Sequence, residues 1–217
     1  MKNILVLAGA SGVGKTSVAM KILSSSDKYR LIRSVTTRKP RGDGHDGEYI
    51  YLSEKDFEER ISSGELLEYM NYGGSFYGTP ISEINSAFAE GKVPLLILDL
   101  TGVQTIREKN LDFSVFVFYI YEELSVIEKR LYERECGKGS DKSEEVIKKR
   151  MSANIRDYLM LPEISGKFDA FVKNEIIDDT ARRVQELHER LLKAKLDLRE
   201  ENKRIVDALS ASASKNS

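Results

Sequence analysis

Residues Gly9–Thr16 read GASGVGKT, a match to G-x-x-x-x-G-K-[ST], and they constrain the fold more than any other stretch of the chain. The apolar run NILVLA precedes them and reads as a buried parallel strand. KTSVAMKILSS follows, with Val18, Ile22 and Leu23 at helical spacing. Strand, glycine loop and helix in that order make a phosphate cradle. Backbone N–H groups converge on the anion, glycines let the chain approach it closely, and the helix N-terminus adds the positive end of its dipole. At average glycine usage of about 7%, such a match arises by accident in roughly one chain in a hundred. Here it also lies between a strand and a helix, as the cradle requires. The segment Gly9, Ala10, Ser11, Gly12, Val13, Gly14, Lys15, Thr16 and Ser17 is therefore expected to bind a nucleoside triphosphate. Lys15 would reach the β- and γ-phosphates, and the Thr16 hydroxyl would ligate Mg2+.

Further along, Leu95–Leu100 (LLILDL), Phe113–Ile120 (FSVFVFYI) and Asp169–Asn174 (DAFVKN) read as strands. Between them VQTIREK, ELSVIEKRLYERE and SEEVIKKRMSANIRDYL read as helices. Such alternation predicts an α/β domain with a parallel sheet. Residues 34–93 break it with tyrosines, glycine turns and one short helix, EKDFEERISSG, and read as an inserted lobe. In the tail, Val184, Leu187, Leu191, Ala194, Leu198 and Ile205 follow a heptad-like register that Glu201 interrupts. The first half is expected to pack on the core. Beyond Lys195 the expectation is either a solvated helix or a contact between two copies of the chain, with SASASKNS disordered.

Composition narrows the class of ligand. The chain has 217 residues, and its net charge of −1 gives no bulk attraction to nucleic acid or an anionic membrane. Cys136 is the single cysteine, and His45 and His188 form no obvious metal pair. The apolar run Ile4–Ala8 is too short for a secretory leader, and no stretch is long enough to span a bilayer, so a cytoplasmic protein is expected. In a nearly neutral chain, the local basic cluster Arg38, Lys39 and Arg41 in SVTTRKPRGDGHDGEYIY points to a small anion. A kinase for an already phosphorylated acceptor needs such a second anion site. Arginine forks and tyrosine hydroxyls suit it.

Taken in order, these motifs resemble the guanylate kinase family over about residues 2–195. GASGVGKT is similar to its P-loop, and SVTTRKPR with DGEYIY to its GMP-phosphate segment. GELLEY and FYGTP resemble its guanine-binding segments. KRLYERE and SEEVIKKRM resemble its arginine-bearing lid, and FVKNE the strand end near the adenine. The resemblance implies a three-layer P-loop α/β core with a parallel sheet (1–33, 94–126 and 158–195). It also implies an inserted GMP-binding lobe (34–93), a helical lid (127–157) and a C-terminal extension (196–217). By the same resemblance Arg38, Arg41, Tyr49 and Tyr77 would hold the GMP phosphate, with Ser34 beside them. Glu68 and Thr79 would read guanine, and Asp99 would assist. Arg134 and Arg150 would reach the ATP phosphates from the lid, and Asn174 would lie near the adenine. Lys15, Arg38, Arg134 and Arg150 would be the charges acting on the transferring group.

Two features depart from the family pattern. Where the family has Asp-x-Asp at a strand end, this chain has Ile97 and Asp99, and Asp99 reads equally as a helix cap. The turn CGKGSDK lengthens the lid by a few residues. The expected reaction is Mg2+-assisted transfer of the γ-phosphoryl of ATP to GMP and dGMP. The acceptor is already anionic, so positioning and charge neutralisation suffice without a strong base. The alternatives are a P-loop kinase for another phosphorylated acceptor, such as a ribose bisphosphate, and a non-catalytic guanylate-kinase-like binding module.

Overall fold

The computed structural model describes residues 2–40, 47, 49–72, 74–136, 142–193 and 197–216. Its strands are β1 (Asn3–Ala8), β2 (Tyr29–Leu31), β3 (Ser34–Thr36), β4 (Tyr49–Tyr51), β5 (Leu66–Tyr72), β6 (Ser75–Pro80), β7 (Val93–Ile97), β8 (Ser114–Tyr121) and β9 (Ala170–Lys173). Its helices are α1 (Lys15–Ser25), α2 (Glu54–Ser62), α3 (Ile81–Ala89), α4 (Leu100–Arg107), α5 (Leu124–Cys136), α6 (Lys142–Ile164), α7 (Ile177–Leu192) and α8 (Arg199–Ser214). The chain divides into two units, Met1–Val6 with Leu23–Val115, and Leu7–Ile22 with Phe116–Ser217. Among the described residues, no helix is long and apolar enough to cross a membrane.

The larger sheet has the order β2-β7-β1-β8-β9. β2 pairs with β7 in parallel, and β8 pairs with β9 in parallel. All six residues of β1 are buried, which is why the strand reads as a continuous apolar run rather than an alternating one. β7 ends at Ile97, short of the strand expected to run to Leu100. The cause is Asp99: its carboxylate accepts from Gly102 N at 2.8 Å and caps α4, so the backbone turns helical there.

The first unit also holds a four-stranded sheet of order β4-β3-β6-β5. Its two faces separate by period two. Val35, Ile50, Leu66 and Phe76 pack with Phe57 and Ile61 of α2 into a small apolar core. The alternate residues Ser34, Thr36, Tyr49, Tyr51, Tyr77 and Thr79 lie on the opposite face by register. Gly78 allows this packing, since a Cβ there would fall 2.9 Å from Leu66 and 3.2 Å from Phe57. β5 carries a bulge. Leu66 opposes Pro80 while Tyr69 opposes Gly78, three steps on one strand against two on the other.

In the second unit the tail differs from its sequence expectation. The heptad-like run is broken into two helices, and α7 buries Val184, Leu187 and His188, the last edge-on to Phe116. α8 is neither solvated nor disordered from Ser210. It buries Val206, Leu209 and Ala213 and packs on α6 and β9. The stripe at i, i+3 and i+7 supplies the apolar face, and small Ala and Ser side chains let α8 lie close to its neighbours. The lengthened lid turn falls on 137–141, outside the described residues.

Candidate active site

The phosphate loop lies in the second unit, between β1 and α1, as its motif requires. Gly9 has φ +143°, and a Cβ there would fall 2.1 Å from the Ile120 carbonyl oxygen. Gly14 has φ +97°, and a Cβ there would fall 2.5 Å from Asn174 Nδ2. Both positions therefore exclude any side chain. The loop's carbonyls are held from several directions. Lys15 Nζ donates to the Gly9 and Ala10 carbonyls at 2.7 and 3.0 Å. Asn174 Nδ2 donates to the Val13 carbonyl at 2.7 Å, and Arg130 Nη1 donates to it at 3.2 Å. Arg130 also donates to the Asn174 carbonyl at 2.8 Å. From α6, Asn154 accepts from Ser11 N at 2.8 Å and donates to Ser11 O at 2.9 Å.

Asn174 is thus engaged with the loop itself, through its amide nitrogen. Its Oδ1 is buried and has no hydrogen-bond partner among the described residues. Thr16 is half-buried and Ser17 exposed in the first turn of α1. Arg134 is exposed in the last turn of α5, and Arg150 is half-buried on α6. Arg130 and Asn154 were not singled out in the sequence. Each lies one helical turn from a residue that was, Arg130 four before Arg134 and Asn154 four after Arg150. That shared face was the available signal.

The first unit holds the second group of candidates. The Arg38 guanidinium lies 5.0 Å from the Tyr49 ring centroid, and its Nη2 donates to the Tyr51 hydroxyl at 3.4 Å. Tyr49 and Tyr77 meet edge to face at 6.1 Å. Ser34 is half-buried and pairs in register with Tyr49. The structure therefore brings Ser34, Arg38, Tyr49 and Tyr77 to one face, and adds Tyr51. Arg41 lies outside the described residues.

On the same unit Glu68 is 4% exposed, inside a run of three buried residues, Leu66, Leu67 and Glu68. The β5 bulge produces that run by turning Glu68 inward, out of strict alternation. Thr79 Oγ1 donates to Glu68 Oε1 at 2.5 Å, so the hydroxyl expected to read a base is directed at the carboxylate. Asp99 stands nearby. A Cβ on Gly102 would sit 3.2 Å from Glu68 Oε2 and 3.4 Å from Asp99 Oδ1. Burial pushes the Glu68 carboxyl up to about 7; Thr79 opposes this and the Asp99 charge adds to it. Among the described residues, no group of three or more His, Cys, Asp or Glu is arranged to hold a metal.

Known proteins resemble this chain over most of its length. A family model described as guanylate kinase matches residues 1–191. The guanylate kinase of Lactococcus lactis is 35% identical over 187 residues, covering 86% of each chain. That of Lactobacillus acidophilus is 38% identical over 176 residues, covering 80% of this chain and 81% of the relative. The crystal structure of guanylate kinase from Anaplasma phagocytophilum superimposes with a TM-score of 0.61 at 23% identity. It covers 87% of this chain and 86% of that one, and shares the fold. With a family model over most of its length and relatives this similar, the chain belongs to the guanylate kinase family.

Proposed function

We propose that this protein transfers the γ-phosphoryl of ATP to GMP, and to dGMP. The observation that carries the proposal is the buried Glu68 carboxylate, bonded to Thr79 and adjacent to Asp99. A carboxylate withdrawn from water is costly unless it is paired and hydrogen-bonded, and a ligand with two adjacent donors would supply that. Guanine presents two neighbouring donors, N1–H and the N2 amino group, that one ionised carboxylate can accept together. Adenine presents an acceptor at N1 and no amino group at C2, so Glu68 would lose both partners. Thr79 holds the carboxylate in place and can turn its proton toward O6.

The GMP phosphate is assigned to Arg38, Arg41, Tyr49 and Tyr77, with Ser34 beside them. The ATP phosphates are assigned to the loop from Gly9 to Ser17, with Lys15 neutralising charge on the transferring group and Arg134 and Arg150 adding to it. Asn174 Oδ1 is buried without a hydrogen-bond partner among the described residues, which supports assigning it to accept from an exocyclic amino group such as that of adenine. The Thr16 hydroxyl, half-buried beside Lys15, is a hard oxygen donor of the kind Mg2+ takes when phosphates and water fill its other positions. When bound, Mg2+ would neutralise phosphate charge; the protein's own contribution is to align donor and acceptor and exclude water. The division into core (1–33, 94–126, 158–195), GMP lobe (34–93), lid (127–157) and extension (196–217) belongs to the same reading. So does a cytoplasmic enzyme with ATP and GMP as its partners, and neither nucleic acid nor membrane among them.

A coupled assay of ADP formation with GMP, dGMP, AMP, a ribose bisphosphate and no acceptor tests the proposal. Turnover with GMP and dGMP is expected, with AMP slower by as much as about 10⁴-fold, as for sites that read a base by hydrogen bonds. Equal rates with AMP would overturn the guanine assignment, and no turnover with any acceptor would favour a binding module.

A further inference from the structure

We propose that Asn154 is a positioning residue for the phosphate loop, a latch from α6 that presets the Ser11 peptide before ATP arrives. The proposal rests on the loop being the ATP site. Asn154 is 1% exposed. It lies on the inward stripe of α6 with Ile147, Tyr158, Leu161 and Ile164, where helical spacing calls for packing residues. A carboxamide there must be paired, because a buried unpaired amide is destabilising. Two of its hydrogen bonds go to one residue: Ser11 N donates to Oδ1 at 2.8 Å, and Nδ2 donates to Ser11 O at 2.9 Å, with a weaker third from Nδ2 to Met151 Sδ at 3.9 Å. Donor meets acceptor and acceptor meets donor, as an adjacent strand would do.

The need for the latch follows from the glycines. Gly9, Gly12 and Gly14 all have positive φ, and a loop built on such residues has much backbone freedom to lose. Lys15, Arg130 and Asn174 hold the carbonyls of Gly9, Ala10 and Val13. Asn154 holds both backbone polar groups of Ser11, near the middle of the loop. A preset loop leaves less ordering to be done on binding, which appears as ATP affinity rather than as turnover. α8 lies behind this arrangement. Its Ala208, Leu209 and Ser212 share a groove with Met151, Ile155 and Tyr158, the α6 residues flanking Asn154.

Asn154→Ala in the full chain tests the idea by steady-state kinetics. Loss of two hydrogen bonds is expected to raise KM for ATP about tenfold, with kcat and KM for GMP within about twofold of native. An unchanged or lowered KM for ATP would overturn the proposal, as would equal rises in both KM values, which mark general loosening. Should Asn154→Ala fail to fold, hydrogen exchange at the Ser11 amide of the native, nucleotide-free protein decides. Slow exchange supports the latch, and exchange at the rate of an open loop refutes it. Native protein that protects Ser11 yet binds no ATP would instead overturn the functional reading and leave the latch geometry standing.

Discussion

At the scale of one residue, Glu68 is caught between folding and ligand. Its carboxyl has an ordinary value of 4.5 and is pushed up to about 7 by burial. Between those pH values the folded chain keeps a proton that the unfolded chain has released. Stability therefore falls as pH rises from 4.5 to 7 and levels off above it. The interval corresponds to about 3 kcal/mol. Glu68→Gln removes the titration and retains a partner for Thr79. Urea unfolding should show its advantage over native growing by about 2 kcal/mol between pH 5 and pH 8. GMP binding should run the opposite way, since only the ionised form accepts both guanine donors. KM for GMP should rise about twentyfold from pH 8 to pH 6 in the native protein, about tenfold of it from Glu68. Glu68→Gln should show only the roughly twofold change of the GMP phosphate itself, whose pKa is about 6. Identical pH profiles would remove Glu68 from the base site. The motif around Glu68 was legible in the sequence, but its burial was not. Alternation puts a strand residue on one face or the other, and a bulge that breaks alternation leaves no mark in the residue pattern.

At the scale of elements, α4 and α8 each give a test in which two effects compete. Gly102 lies in the first turn of α4 without a positive φ, so Ala should strengthen the helix by up to about 1 kcal/mol. The same Cβ would sit 3.2 Å from Glu68 Oε2, and Glu68 is held by Thr79 and cannot yield freely. Gly102→Ala is expected to keep or raise Tm while raising KM for GMP severalfold and leaving KM for ATP alone. Unchanged GMP kinetics would mean that the carboxylate gives way. In α8, Leu209 is 6% exposed, so Leu209→Ala should cost about 2–5 kcal/mol in denaturant unfolding. A solvated helix, as the polar composition of the tail suggested, would lose within about 0.5 kcal/mol. The strand, glycine loop and helix at the N-terminal end and the alternating strands and helices could be read because each is a local pattern. α8 could not, because its buried stripe mixes Val and Leu with Ala among Ser, a composition shared with disordered tails. Arg130 and Asn154 offer only a shared helix face as a signal, since the loop groups they hold at Val13 and Ser11 lie 117 and 143 residues away along the chain.

At the scale of the molecule, the question is whether the two units are independent. Phosphate loop and buried carboxylate belong to different units, and separate domains usually meet in exposed linkers. Here the chain passes between units at Val6–Leu7, Ile22–Leu23 and Val115–Phe116. These crossings fall inside β1, α1 and β8, and none falls in a linker. Unfolding one unit would strand part of each of those elements, breaking their hydrogen bonds without releasing the chain. A single cooperative transition is therefore expected, with calorimetric and van't Hoff enthalpies in agreement. A ligand for either unit must then stabilise the whole. ATP alone or GMP alone, each at 100 times its Kd, should raise the stability of that one transition by about 2.7 kcal/mol. Two separate transitions, one moved only by ATP and the other only by GMP, would show that the units fold apart and that continuity through β1, α1 and β8 does not couple them.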